Sequence, residues 1–223
     1  SSGAGYCSSL DGSSCAGAGT TTCTSQYVCS AGTFSAGNTG TCTGVQAGYF
    51  ANTGSASYVA SAASQETICP VGTYKGAGAG ACTSCAAGST TTDTTKTVSS
   101  DCSLCLAGYG VSGTPSNNCA VCSAGSYRTG TGTGVCLSSG AGYCSSLDGS
   151  SCAGAATTAC TSQYVCSAGT FSVGNAGTCT GVQAGYFANT GSASYVASAA
   201  SQETVCPVGT YKGAGKGECT SSE

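Results

Sequence analysis

The chain contains no histidine, no methionine and no tryptophan, and of its 223 residues only 5 are basic and 8 acidic. Charged side chains make up 6% of it, against about 25% in an ordinary globular domain. Lacking histidine, it has no residue for imidazole acid–base catalysis, haem ligation or His-zinc chemistry. Arg128 is the only arginine, the net charge is −3, and no basic patch is available to meet phosphate, which excludes nucleic acid as a partner. The charge-free stretch from Gly12 to Gln65 is long enough to cross a bilayer, but Ser, Thr, Gly and Asn interrupt it throughout. No direct membrane span is expected. No leader segment is visible, so Ser1 is expected to begin a mature or excised chain. Leu, Ile, Val and Phe are too few to fill one large core.

What the chain has instead is 37 glycines and 20 cysteines. That cysteine density points to a disulfide scaffold formed in an oxidising, extracellular compartment. The sequence also falls on itself when shifted by 137 residues. Residues 1–84 match 138–221 except at Gly19/Ala156, Thr22/Ala159, Ala36/Val173, Thr39/Ala176, Ile68/Val205, Ala79/Lys216 and Ala81/Glu218. The organisation is therefore a first long repeat, 1–137, and a second, partial one, 138–223.

A shorter period lies inside the long one: Cys-x-x-Gly, an aromatic within two residues, a small polar run, then another Cys. Full copies stand at Cys29-Gly32-Phe34, Cys69-Gly72-Tyr74, Cys105-Gly108-Tyr109, Cys122-Gly125-Tyr127, Cys166-Gly169-Phe171 and Cys206-Gly209-Tyr211. Cys85-Gly88 lacks the aromatic. Val45-Gly48-Tyr49, Val182-Gly185-Tyr186, Ser2-Gly5-Tyr6 and Ser139-Gly142-Tyr143 lack the leading cysteine. The glycines 5, 32, 48, 72, 88, 108, 125, 142, 169, 185 and 209 thus mark eleven modules, numbered here 1 to 11, seven of them in the first long repeat.

The defective modules suggest the cysteine pairing. Successive intact modules join as Cys-x-x-Cys, so the first cysteine of a doublet would close one module and the second would open the next. Where Val45 replaces an opening cysteine the closing position holds Glu66; where Ser2 does, it holds Gln26. Partners lost together are expected to be bonded when present. The scheme is Cys29–Cys42, Cys69–Cys82, Cys85–Cys102, Cys105–Cys119, Cys122–Cys136, Cys166–Cys179 and Cys206–Cys219. Two odd triplets remain, Cys7, Cys15, Cys23 and Cys144, Cys152, Cys160. Each can hold at most one internal bond, leaving a cysteine that is free or pairs with another module or chain.

Modules this small need such staples to fold. The glycine after Cys-x-x is expected at positive φ, with the aromatic lying across the disulfide. The expected fold is small, disulfide-rich and mostly β or irregular, an elongated tandem array of short hairpin modules with little or no helix. At about 12–15 Å per module, eleven would span on the order of 150 Å.

The string Cys-x-x-Cys-x-x-Gly-x-Tyr, as in Cys119 to Tyr127, resembles the cysteine-rich repeats of ephrin-receptor-like and tumour-necrosis-factor-receptor-like modules. It is also similar to repeats of protist surface proteins, including ciliate immobilisation antigens and mastigoneme-type flagellar-hair proteins, whose Ser/Thr/Ala/Gly bias it shares. The resemblance implies an extracellular structural or surface protein.

Other motifs read as structure. Cys82, Cys85, Cys102 and Cys105 have the spacing of a four-cysteine zinc site, but each has a partner in the one-loop scheme, so neither a metal nor any other cofactor is expected. The carboxylates Asp11, Glu66, Asp93, Asp101, Asp148, Glu203, Glu218 and Glu223 form no pair suited to acid–base work, and no enzyme is expected. Ser89, Thr90, Thr91, Thr92, Thr94, Thr95 and Thr97 form the densest hydroxyl run and the candidate site for covalent O-linked glycan. A surface with so little charge needs a covering, either sugar or copies of the chain itself. The expected function is non-catalytic: a glycosylated homopolymer forming an extracellular filament, flagellar hair or cell-surface coat. The alternative is a receptor- or adhesin-like ligand-binding module.

Overall fold

The computed structural model describes residues 1–19, 22–112, 118–155 and 158–221. The only helical element among them is a short 3-10 turn, Ser99–Asp101; everything else is strand, turn or irregular. Among the described residues, twenty-two short strands form eleven two-stranded sheets, each from strands adjacent in sequence, one hairpin per module. Contacts divide the chain into two compact units, Ser1–Leu104 with modules 1 to 5 and Cys105–Glu223 with modules 6 to 11.

Each hairpin begins on a turn that the Cys-x-x-Gly string dictates. In module 2 the Thr33 amide donates to Ser30 O at 3.0 Å, and Gly32 stands third in that four-residue turn at φ +80°. A turn with its third residue at φ near +80° is type II, which strongly favours glycine there. The same bond and the same glycine conformation recur at the head of all eleven modules, with φ between +78° and +85°.

Ladder length follows the staples. Where opening and closing cysteines are missing, the strands run four residues: Tyr6–Ser9 with Ser25–Val28, Tyr49–Asn52 with Gln65–Ile68, Tyr143–Ser146 with Ser162–Val165, and Tyr186–Asn189 with Gln202–Val205. Stapled modules need less backbone pairing. Their strands are two residues long, as in Thr33–Phe34 with Thr43–Gly44, or three in Tyr109–Val111 with Cys119–Val121.

The vacated staple positions carry a non-covalent substitute. Glu66, at the closing position of module 3, accepts the Gln46 amide at 2.9 Å; Gln26, in module 1, accepts the Gly3 amide at 3.0 Å. Glu203 with Gln183 and Gln163 with Gly140 repeat both bonds. Modules 3 and 10 also hold the apolar clusters, Val45, Ala51 and Ala63 with Phe34, Tyr49 and Tyr58 packed on them, and Val182, Ala188 and Ala200 with Phe171 and Tyr195. Elsewhere the buried apolar matter is largely sulfur. Cys7, Cys29, Cys69, Cys105, Cys122, Cys144 and Cys166 are almost wholly enclosed, while every tyrosine keeps part of its surface exposed.

Nine disulfides join the chain, with Cα–Cα distances of 5.3 to 5.7 Å. Seven are the one-loop pairs Cys29–Cys42, Cys69–Cys82, Cys85–Cys102, Cys105–Cys119, Cys122–Cys136, Cys166–Cys179 and Cys206–Cys219. The other two, Cys7–Cys15 and Cys144–Cys152, resolve the triplets and leave Cys23 and Cys160 as free thiols.

Candidate functional site

The feature that repeats most faithfully is the way one module seats on those before it. Within each unit the loops of modules 3, 4, 5, 8, 9, 10 and 11 reach back to the seam between the two preceding modules. In the first unit the Ala62 carbonyl oxygen of module 3 lies 2.2 Å from where a Cβ would stand on Gly5 of module 1, and the Ala62 amide donates to Cys29 O at 2.9 Å. Module 4 approaches Gly32 through Gly78 and Ala79, and module 5 approaches Gly48 through Thr95. In the second unit Ala159 meets Gly108, Asn175 meets Gly125, Ala199 meets Gly142 and Lys216 meets Gly169. Any side chain at these glycines would collide with backbone, so the turn glycine serves both its own φ and its neighbour's approach.

The seated loops are held in a matching conformation. Among the described residues, six non-glycine residues stand at positive φ: Asn38, Ala62, Thr95, Ala159, Asn175 and Ala199, each in the left-handed region between 50° and 65°. Five of these meet a module glycine, at 5, 48, 108, 125 or 142. The cost of about 1–3 kcal/mol for such a residue is offset by the docked backbone bonds. Neighbouring modules add a second tie, from the turn glycine amide to the next module: Gly5 to Ser35 O at 2.7 Å, Gly48 to Lys75 O at 2.7 Å and Gly108 to Arg128 O at 3.0 Å.

Basic residues stabilise loops rather than a binding surface. Lys75 Nζ donates to Gly76 O and Gly78 O at 3.0 and 2.6 Å, and Lys212 makes the same two bonds to Gly213 O and Gly215 O. Arg128 does likewise to Gly130 O and Gly134 O. Burial lowers the pKa of Lys75, partly countered by Glu66. Lys96 pairs with Asp93 at 3.1 Å.

The hydroxyl run does not present a uniform surface. Thr92 and Thr95 are exposed, and Thr90, Thr94 and Thr97 are half-buried. Ser89 and Thr91 are buried, with 9% and 2% of their surface exposed. Ser89 donates to Ala86 O at 2.7 Å. Thr91 accepts the Gly72 amide at 2.9 Å and donates to Asp93 O at 2.8 Å, so its hydroxyl is committed to holding module 5 on module 4. No sequence signal distinguishes these two from their neighbours.

The sulfurs with zinc-like spacing are divided among three disulfides, Cys69–Cys82, Cys85–Cys102 and Cys105–Cys119. Cys7, Cys15 and Cys42 cluster with sulfurs within 4.8 Å, as do Cys144, Cys152 and Cys179, but all six are disulfide-bonded and offer no thiolate. Asp11 and Asp148 bind Ser13 and Ser150 of their own turns; Asp101 caps the Thr97 and Val98 amides. Glu223 lies outside the described residues. Shallow grooves of about 260 and 190 Å³ recur at equivalent places, one lined by Phe187, Tyr195 and Pro207, the other by Phe50, Tyr58 and Pro70. No helix among the described residues is long and apolar enough to cross a membrane.

The nine disulfides suit an oxidising compartment, as outside the cell. No family model matches the chain, and no curated protein matches it.

Proposed function

We propose that the chain is a non-catalytic structural protein of an extracellular filament, flagellar hair or cell-surface coat, built from copies of itself. The observation that carries this reading is the seating, within each unit, of the loops of modules 3 to 5 and 8 to 11 on the seam two modules back, made almost wholly by backbone atoms. A contact that asks so little of side chains can be offered by any module to any other, including one on a neighbouring chain. The near absence of charge supports it, since such a surface is poorly protected against association. The resemblance to protist surface and flagellar-hair repeats points the same way. Thr92 and Thr95 are the positions of the hydroxyl run best placed for O-linked glycan.

Electron microscopy of the purified, oxidised chain over a range of concentrations tests this, with glycan mass analysis of native material. Regular fibres are expected. Monodisperse particles at every concentration would overturn it. They would favour the second reading, a ligand-binding module, which has in its support the twinned grooves at Phe50/Tyr58 and Phe187/Tyr195.

A further inference from the structure

At two places in the chain one disulfide touches another. Cys7–Cys15 of module 1 lies against Cys29–Cys42 of module 2, with Cys15 Sγ 3.7 Å from Cys42 Sγ. Cys144–Cys152 of module 8 meets Cys166–Cys179 of module 9 in the same way, with Cys152 Sγ 3.5 Å from Cys179 Sγ. Among the described residues, these are the only groups that hold three cysteine sulfurs within 4.8 Å of one another. The second has modules on both sides of it, so the contact belongs to the module pair itself. Backbone builds it. The Gly17 amide donates to Gly40 O at 2.9 Å and the Ser8 amide to Thr39 O at 2.7 Å. Gly154 to Gly177 O and Ser145 to Ala176 O repeat both bonds, at 2.9 and 2.8 Å. Cys15 stands two residues before Gly17 and Cys42 two after Gly40, so this approach sets their sulfurs side by side. A side chain at Gly40 or Gly177 would collide with the Gly17 or Gly154 carbonyl.

The four sulfurs of a cluster differ in their surroundings. Cys7, Cys29, Cys144 and Cys166 are completely buried, whereas Cys15, Cys42, Cys152 and Cys179 are half-buried. The two sulfurs that touch across modules are therefore the two that a solute can reach. Cys7 Sγ also lies 3.4 Å from Tyr27 O, and Cys144 Sγ 3.4 Å from Tyr164 O. A disulfide sulfur carries no proton, so only a thiol can use that carbonyl as an acceptor. A thiol so enclosed is a small apolar group and a weak nucleophile, suited to remain reduced.

We infer that each cluster is a disulfide-exchange site whose co-substrate is a small-molecule thiol, and whose products are the cross-module bonds Cys15–Cys42 and Cys152–Cys179. The thiolate attacks Cys15 Sγ, forming a mixed disulfide and releasing Cys7, which takes up a proton and donates to Tyr27 O. A second thiolate attacks the small-molecule sulfur of that mixed disulfide. The small-molecule disulfide departs and Cys15 is left as a thiolate. Cys15 Sγ then attacks Cys42 Sγ, breaking Cys29–Cys42, and Cys29 takes up the second proton. Two small thiols are thereby oxidised to one disulfide, and two protein disulfides become one disulfide and two buried thiols. The exchange replaces two staples within modules by one between them. It locks module 1 to module 2 and module 8 to module 9, and does not depend on the filament reading.

Glutathione at graded ratios of thiol to disulfide tests the site on the oxidised 223-residue chain. Thiols are trapped by maleimide in denaturant, and bonds are mapped by mass spectrometry of peptic digests. Cys15–Cys42 and Cys152–Cys179 should form in at least half of the molecules before any isolated staple, such as Cys69–Cys82, opens. Label should then appear at Cys7, Cys29, Cys144 and Cys166 in addition to Cys23 and Cys160. Cross-bonds that stay in the minority at every ratio, or form only after isolated staples have opened, would overturn the site. Cys144→Ser isolates the second step without glutathione. Its Cys152 thiol should displace Cys166 from Cys179, so that Cys166 takes label only in denaturant. A Cys152 that labels in the folded chain, with Cys166–Cys179 intact, would overturn that step. If this variant does not fold, the glutathione series on the unsubstituted chain decides.

Discussion

At the residue scale the turn glycines bear two constraints that can be separated by substitution. Gly54 is at φ +94° with nothing near its Cβ position, whereas Gly142 is at φ +84° with Ala199 O only 2.3 Å away. Gly54→Ala should cost about 1 kcal/mol, the strain of a left-handed alanine. Gly142→Ala should cost about 3 kcal/mol or more, because the loop of module 10 must also withdraw. Native-state hydrogen exchange of the Ala199 amide would measure the difference; equal costs would remove the docking role. A second residue-scale expectation concerns acid. The Thr97 and Val98 amides donate to Asp101 at 2.8 and 3.1 Å and hold its carboxyl below the ordinary 3.8. The unfolded carboxyl takes up a proton more readily, so the stability this cap contributes is complete above 3.8 and is lost as pH falls through the lower folded value. Protection of those two amides should be flat from neutrality to about pH 5, decline below 3.8, and lose that dependence in Asp101→Asn. Of these features the positive φ was legible in the Cys-x-x-Gly string. The close approach was not, because its partners are backbone atoms of residues as different as Ala62, Thr95, Asn175 and Lys216, which carry no common side-chain signal.

At the scale of the element, a hairpin here is held in one of two ways. Stapled modules combine a disulfide with two or three rungs. Staple-free modules combine four rungs, a Glu or Gln bond across the vacated site and, in modules 3 and 10, an apolar cluster. The register makes the two interchangeable: Glu66 precedes Thr67, which pairs with Phe50 two residues beyond Gly48, and Cys42 precedes Thr43, which pairs with Phe34 two residues beyond Gly32. Val45→Cys combined with Glu66→Cys should therefore form a tenth disulfide. Closing a loop of this length is worth about 3 kcal/mol, reduced by the lost burial of Val45, about 1.5–3 kcal/mol. The urea midpoint should not fall, and the denatured variant should still show only the thiols of Cys23 and Cys160; reactive thiols at 45 and 66 would count against the equivalence. The loss of cysteines in pairs made this organisation readable in advance. The choice of Cys7–Cys15 over a bond to Cys23 was not readable, since all three cysteines of the triplet are equally spaced.

At the scale of the whole molecule, disulfides and backbone seating carry what a large core carries elsewhere. Denatured without reductant, the chain should expose two thiols, those of Cys23 and Cys160; fully reduced, it should expose all 20. Reduction should abolish the β signal in circular dichroism at room temperature, because chains this poor in apolar core do not hold so many short hairpins once the staples of the neighbouring modules are lost. Retention of that signal would mean the seating alone sustains the array. Local chemistry was decided by the sequence: which glycines turn, which cysteines can bond, and how many hairpins result. Those are properties of strings fewer than about 30 residues long, where φ preference and loop closure dominate. Only the tertiary structure decided which hydroxyls of the Ser89–Thr97 run are buried, which cysteine of each triplet stays free, and that seven loops seat two modules back within their unit. These outcomes depend on backbone atoms brought together from distant modules, and backbone is the one component that every sequence has alike.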